Sequence, residues 1–271
     1  MISTLKYFAI TASLLICQKS IAQTAHLQQH AIQIASSDNS AVLLGASALF
    51  ANPAAARQEL TGWDLTSAVS NRFNTDILSV GASVVKSFDQ AAVGIVLGSY
   101  GIDGFKQNQV SLSFTRAIGA SAYLGIQANY HQLQIDELGQ KGVADMTIGY
   151  WQSIDNKVII SAYLKNPLQA TSDQPQVIGK ADIGIGYIIS DQLTLYAAVD
   201  KPWDQGVSFR PGFAYQPHRI LTIYVSTDTD PEAISLGAGL NLIDGLNAQL
   251  GVNTHPILGT SLALSVGYRI Q

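Results

Sequence analysis

From about residue 62 to the end of this 271-residue chain, apolar and small polar side chains alternate with a period of two. Such alternation places successive residues on opposite faces of an extended strand and does not fit a helical stripe. In the final segment Leu262, Leu264, Val266, Tyr268 and Ile270 share one face, and Ser261, Ala263, Ser265, Gly267 and Arg269 share the other. The same pattern sets Ala181, Ile183, Ile185 and Tyr187 against Asp182, Gly184 and Gly186. It also sets Ile234, Leu236, Ala238 and Leu240 against Ser235, Gly237, Gly239 and Asn241. One face is continuously aliphatic or aromatic, while the other is small and mostly uncharged. A soluble β-sandwich, the alternative, would turn Lys and Glu outward. Only 13% of the residues here are charged, against a usual share of about 25%. The pattern fits a barrel with lipid outside and a polar lumen.

Fourteen such segments can be read, near 62–71, 76–87, 90–100, 105–118, 121–135, 143–153, 157–166, 179–189, 192–201, 206–216, 219–228, 233–242, 246–254 and 259–271. An even number of segments about ten residues long is what tilted transmembrane strands require. The links alternate as well. Short turns fall at Asp89, Gly119-Ala120, Ser190-Asp191, Pro217-His218 and Asp244-Gly245, with longer links such as Asp136 to Gly142 and Pro167 to Ile178 between them. Short periplasmic turns and longer extracellular loops follow from that asymmetry. The predicted fold is all-β, a 14-stranded antiparallel transmembrane β-barrel over residues 62–271.

The N-terminal region has a different composition. Lys6, the apolar run Tyr7 to Cys17, and Ser20-Ile21-Ala22 read as a secretory signal peptide over residues 1–22. The sole cysteine, Cys17, falls inside it, so the exported chain would carry no disulfide, thiol nucleophile or Cys-based metal site. Residues 23–61 are small, partly apolar and irregular. They read as an N-terminal hatch, or plug, because a barrel of this size leaves a lumen that its own side chains do not fill. A periplasmic leader is the alternative. Asn52-Pro53 favours an ordered turn, since Asn hydrogen-bonds its own backbone and Pro fixes the next φ.

Other function classes lack their residues. A net charge of −4 with no basic stripe argues against nucleic acid. No run of about 18 apolar residues offers a spanning helix. His26 and His30 have helical i, i+4 spacing but read as a solvent-exposed pair; His218 and His255 fall on opposite membrane sides. Asp228, Asp230 and Glu232 lack the ligand pattern of a calcium loop. No Ser–His pair at one depth is singled out. The expectation is a non-enzyme with no metal and no cofactor.

Charges inside strands are more informative, because a lipid-facing charge at mid-depth costs about 2–4 kcal/mol. Arg116, His131, Asp145, Lys165, Asp182, Arg210 and Arg269 are therefore assigned to the lumen, with a rim position the alternative for a charge near a strand end, as a mixed-sign network that locks the plug or a polar constriction. Trp63, Trp151, Trp203 and Tyr100, Tyr123, Tyr150, Tyr163, Tyr187 and Tyr268 lie near strand ends and read as interfacial anchors.

The run Leu49-Phe50-Ala51-Asn52-Pro53-Ala54-Ala55 resembles the NPA hatch motif of FadL-type outer-membrane barrels. The chain is most similar to the PorV/PorQ group associated with type IX secretion, through Gly98-Ser99-Tyr100-Gly101, Thr115-Arg116, Lys165-Asn166-Pro167 and His255-Pro256-Ile257-Leu258-Gly259-Thr260. The resemblance implies a fourteen-stranded barrel with Leu49, Phe50, Asn52, Pro53 and Ala54 in its hatch. The signal peptide, the cysteine-free exported chain and the fourteen alternating strands point to the bacterial outer membrane, with outer-membrane lipid around the barrel. Loops such as Asp136 to Gly142 are shorter and more polar than those of FadL transporters. The first functional expectation is therefore a scaffold for protein partners of a secretion machinery. The alternative is a FadL-type channel for small hydrophobic molecules.

Overall fold

The computed structural model describes residues 30–57, 61–137, 139–168 and 177–270. The expected signal peptide and residues 23–29 of the expected hatch lie outside the described residues. Fourteen strands form: β1 (Gly62–Asn71), β2 (Leu78–Ser87), β3 (Ala91–Ile102), β4 (Phe105–Ala117), β5 (Ala122–Ile135), β6 (Gly139–Ile154), β7 (Val158–Lys165), β8 (Lys180–Ser190), β9 (Leu193–Pro202), β10 (Ser208–His218), β11 (Leu221–Thr229), β12 (Glu232–Ile243), β13 (Leu246–His255) and β14 (Gly259–Ile270). Each pairs antiparallel with its sequence neighbours, and β1 pairs with β14 from Trp63↔Ile270 to Asn71↔Leu262. The barrel is closed, so every strand has a paired neighbour on both sides, as a membrane demands.

Facing follows the alternation. On β14, Leu262, Leu264, Val266, Tyr268 and Ile270 are exposed, while Ser261, Ala263 and Ser265 are buried inside. Val93, Ile95 and Leu97 on β3, Val110, Leu112 and Phe114 on β4, and Ile183, Ile185 and Tyr187 on β8 continue the exposed apolar belt around the wall. Such a belt has no counterpart on a water-soluble monomer and matches a bilayer core. The protein is a transmembrane β-barrel. Depth along the belt should therefore set tolerance to charge. Leu264→Arg, at mid-strand, is expected to destabilise by about 2–4 kcal/mol and Ile270→Arg, at the rim, by about 0–1 kcal/mol. Urea unfolding in phospholipid vesicles checks the order, and equal losses would contradict it.

Two features depart from the sequence reading. The link expected from Asp136 to Gly142 is largely ladder, because β5 and β6 stay paired through Gln134↔Gln140 and Ile135↔Gly139. Gln132 donates to Gln140 across this pair at 2.9 Å, so polar side chains carry the hairpin beyond the apolar belt. Trp151, Tyr123 and Tyr163, expected as interfacial anchors, are turned inward. Tyr163 packs with Leu43, Ala48, Ala51 and Ala55, and Trp151 lies against the same cluster. Tyr123 is buried, its ring tilted against that of Trp151 at 5.8 Å. Their strand positions have inward parity, and the hatch supplies the apolar surface that they cover. Tyr187 and Tyr268 do face outward.

Candidate functional site

The hatch, residues 30–57, fills the lumen, and small residues let it do so. It opens with helix α1 (Ala31–Ala35), capped by His30, whose Nδ1 accepts from the Ile32 amide at 3.3 Å. His30 Nε2 lies 3.2 Å from the Thr66 hydroxyl on β1, and its ring stacks 6.0 Å from Phe50. Complete burial pushes the imidazole down to about 3, so the ring is neutral. His30 was expected at a solvent-exposed position; capping and the bond to Thr66 place it inside instead. Ala31 and Ala35 press against Gly251 and Gly237, where an added methyl would strike them. Ser37 and Asp38, at φ 51° and 61°, then turn the chain back and form the tip of the hatch. The Ser37 hydroxyl meets those of Ser226 and Ser235 at 2.9 and 3.1 Å.

The returning half is held by backbone-directed bonds. Asn52 caps a 3₁₀ turn (Pro53–Ala56) by accepting from the Ala54 amide at 2.9 Å. Its Nδ2 donates to the Tyr150 carbonyl at 2.9 Å and the Ser161 hydroxyl at 2.8 Å. Thr115 donates to the Pro53 carbonyl at 2.6 Å. Gly149 and Gly125 make this approach possible, because a Cβ on either would overlap Asn52 or the Pro53–Ala54 backbone. Closer to the rim where both barrel ends lie, the Ala46 amide donates to Asp64 at 2.8 Å and Ser83 donates to the Ala46 carbonyl at 2.7 Å. Arg57 donates to the Tyr123 hydroxyl at 2.6 Å with its guanidinium 5.0 Å from that ring.

Beneath this half the wall is apolar. Leu49 and Phe50, with Ala46 and Ala56, pack on Val85, Ala92 and Val96 of β2 and β3. Apart from this patch and the Tyr163–Trp151 cluster, the inner wall is largely polar. Along β4, β5 and β6, His131 lies 2.7 Å from Asp145 through Nε2 and 3.4 Å from the Gln107 amide through Nδ1. Asn129 donates to Asp145 at 2.7 Å, and Gln127 donates to Asn129 at 2.8 Å.

On the opposite side, near the tip, a buried ion cluster joins hatch to wall. Lys180 pairs with Asp38 and, at 3.0 Å, with Asp200. Arg210 reaches Asp200 at 2.5 Å and Asp228 at 3.2 Å, and lies 3.8 Å from both Asp38 and Asp182. Asp182 accepts from Ser40 of the hatch at 2.7 Å, and Gln33 donates to Asp38 at 2.7 Å. Above this floor lies an open cavity of about 330 Å³, walled by the upper strand ends and bordered by Phe73, Pro202 and Leu258.

The residues assigned from sequence thus fall into separate places. Asp182 and Arg210 belong to the ion cluster, and His131 and Asp145 to the amide-lined side. Lys165 is half-buried on the inward face of β7. Arg116 is a correction: it is exposed on the outward face two residues beyond Phe114, where the belt ends and water begins. Arg269 sits exposed at the lower rim opposite Asp64, rather than deep in the lumen. Lys180 and Asp38 were not among the assigned residues. The signal for Lys180 was present, since it shares the inward parity of Asp182 two residues on; Asp38 had none, as it lies in an irregular segment.

No family model and no curated protein matches the chain. Solved structures do. It is similar to the Pseudomonas putida toluene transporter TodX, at 10% identity and TM-score 0.67, covering 92% of this chain and 99% of that one. The Ralstonia pickettii toluene transporter TbuX gives 11% identity and TM-score 0.66 over 93% and 99% of the two chains. A Pseudomonas aeruginosa FadL homologue gives 11% and 0.61 over 89% and 98%. At these identities the likeness is one of fold: the chain shares the barrel architecture of those three structures. Two of these three neighbours are named as toluene transporters.

Proposed function

We propose that the protein is a channel of the bacterial outer membrane, closed in this state by its hatch, through which small hydrophobic molecules pass when the hatch shifts. The upper rim is then extracellular and the lower rim periplasmic. The observation that carries this reading is the apolar inner wall of Val85, Ala92 and Val96, which is kept from water by Leu49 and Phe50 alone among hatch residues of that size. A scaffold has no use for an apolar lane inside a polar lumen. The likeness to toluene channels supports the same reading. It takes precedence over the PorV/PorQ-type secretion scaffold, for which the comparisons offer no support. No catalytic role is assigned.

Toluene uptake tests the proposal. Cells producing the protein should accumulate labelled toluene faster than cells lacking it, and Val96→Asp, which puts a charge on the lane, should remove the gain while leaving heat-modifiable gel mobility intact. Uptake indifferent to the protein would defeat the channel reading.

A further inference from the structure

The hatch is anchored unevenly, and the difference lies in what its departure would leave behind. The returning half fills a glycine-lined cradle, with Asn52 donating to the Tyr150 carbonyl and the Pro53 carbonyl accepting from the Thr115 hydroxyl. The tip is held by hydroxyls and by Asp38. If Asp38 withdraws, no buried cation is orphaned, since Lys180 keeps Asp200 at 3.0 Å and Arg210 keeps Asp200 and Asp228 at 2.5 and 3.2 Å. The wall is thus self-sufficient in charge. Asp38 supplies a carboxylate that another carboxylate can replace one for one.

The cavity above makes that replacement accessible. Its floor includes Asp38, Lys180 and Arg210, and it opens at the upper rim. Phe73, Pro202 and Leu258 give it an apolar side. A second observation points to a ligand group there. Arg210 is more than nine-tenths buried, yet its Nη1 has no hydrogen-bond partner and stands 3.8 Å from the nearest carboxylates. A carboxylate seated in place of Asp38 would face this donor as well as Lys180.

We propose that this cavity binds a small organic carboxylate, whose acid group takes the place of Asp38 on Lys180 and Arg210 and frees the hatch tip, with its apolar body against Phe73, Pro202 and Leu258. The exchange is charge-neutral, so the surrounding Asp182, Asp200 and Asp228 meet the same number of carboxylates before and after. A neutral hydrocarbon lacks the acid group, and an amine meets Lys180 and Arg210 with like charge. Release of the tip rests on the channel reading above; binding at the cavity does not.

Calorimetry on the full-length folded protein in detergent, with benzoate as probe, tests the displacement. Because the native tip competes for the site, Asp38→Asn should bind benzoate about tenfold or more tightly than the unaltered chain, as expected when a competing state is removed. Asp230→Asn removes the same charge from the cavity rim without touching Lys180 and should change the affinity far less. Lys180→Gln should lose binding and Lys180→Arg should keep it, each variant first shown to be a folded barrel by gel mobility. Benzylamine and toluene should not bind there. The proposal is overturned if benzoate binds no variant, if Asp38→Asn binds no more tightly than Asp230→Asn, or if benzylamine binds as well as benzoate. Benzoate binding without toluene uptake would keep the site and discard the channel reading.

Discussion

Arg210→Ala is expected to be the most damaging single truncation inside the barrel. Its guanidinium stands among Asp200, Asp228, Asp38 and Asp182 at 2.5 to 3.8 Å, and its side chain is 8% exposed. Without it, Lys180 alone faces four carboxylates in a space that water reaches poorly. Removing one member of a buried ion cluster leaves uncompensated charge and typically destabilises by about 3–5 kcal/mol. Arg210→Lys should recover only part of this loss, because an ammonium cannot serve Asp200 and Asp228 through a planar fork. The midpoint of urea unfolding in vesicles measures the effect. A loss near the ~0.5 kcal/mol of an ordinary surface substitution would contradict the cluster's role.

The second large effect is on permeation. Deleting residues 30–57 should convert a closed barrel into an ion-conducting one. The hatch fills the lumen from the Arg57–Tyr123 contact near the lower rim to Asp38 beneath the upper cavity. The wall it leaves behind is lined mostly by Ser, Thr, Asn and Gln, with the ions of β8, β9 and β10. Barrels somewhat wider than this one hold aqueous channels when nothing blocks them. Planar-bilayer recording should show stable ohmic steps for the deletion and none for the intact chain. A silent deletion variant, still folded by gel mobility, would show that the hatch is not what closes the lumen.

Most of the wall was legible in the sequence because its physics is local. A residue's parity on a strand decides lipid or lumen, and the segment boundaries follow from turn residues at nearly regular intervals. Where parity was set aside, the reading slipped. Trp151 and Tyr163 were taken as interfacial anchors from their nearness to strand ends, yet they share a face with Gly149 and Ser161, which point at the hatch. Arg116 shares the outward face of Phe114, and only its place at the rim makes a charge tolerable there. The hatch was harder to read. Leu49, Phe50, Asn52 and Pro53 stand out as a motif, but their partners are strand residues far away in the chain. Asp38 and Lys180 are 142 residues apart, and nothing in the irregular run Ser36-Ser37-Asp38-Asn39 marks one carboxylate as a tip contact. Inward glycines such as Gly125, Gly149, Gly237 and Gly251 read only as small strand residues until the hatch is seated against them.

The hatch as a moving gate is tested most directly by tying it down. The hydroxyls of Ser37 and Ser226 are 2.9 Å apart, so Ser37→Cys with Ser226→Cys places two thiols within reach of a disulfide between hatch tip and β11. The only other cysteine, Cys17, lies in the expected signal peptide. Toluene uptake should be lost when the double variant is oxidised and return when it is reduced, with either single variant insensitive to both treatments. Equal uptake by the oxidised and reduced forms, with the cross-link verified by mass spectrometry, would contradict a hatch that must move for molecules to pass.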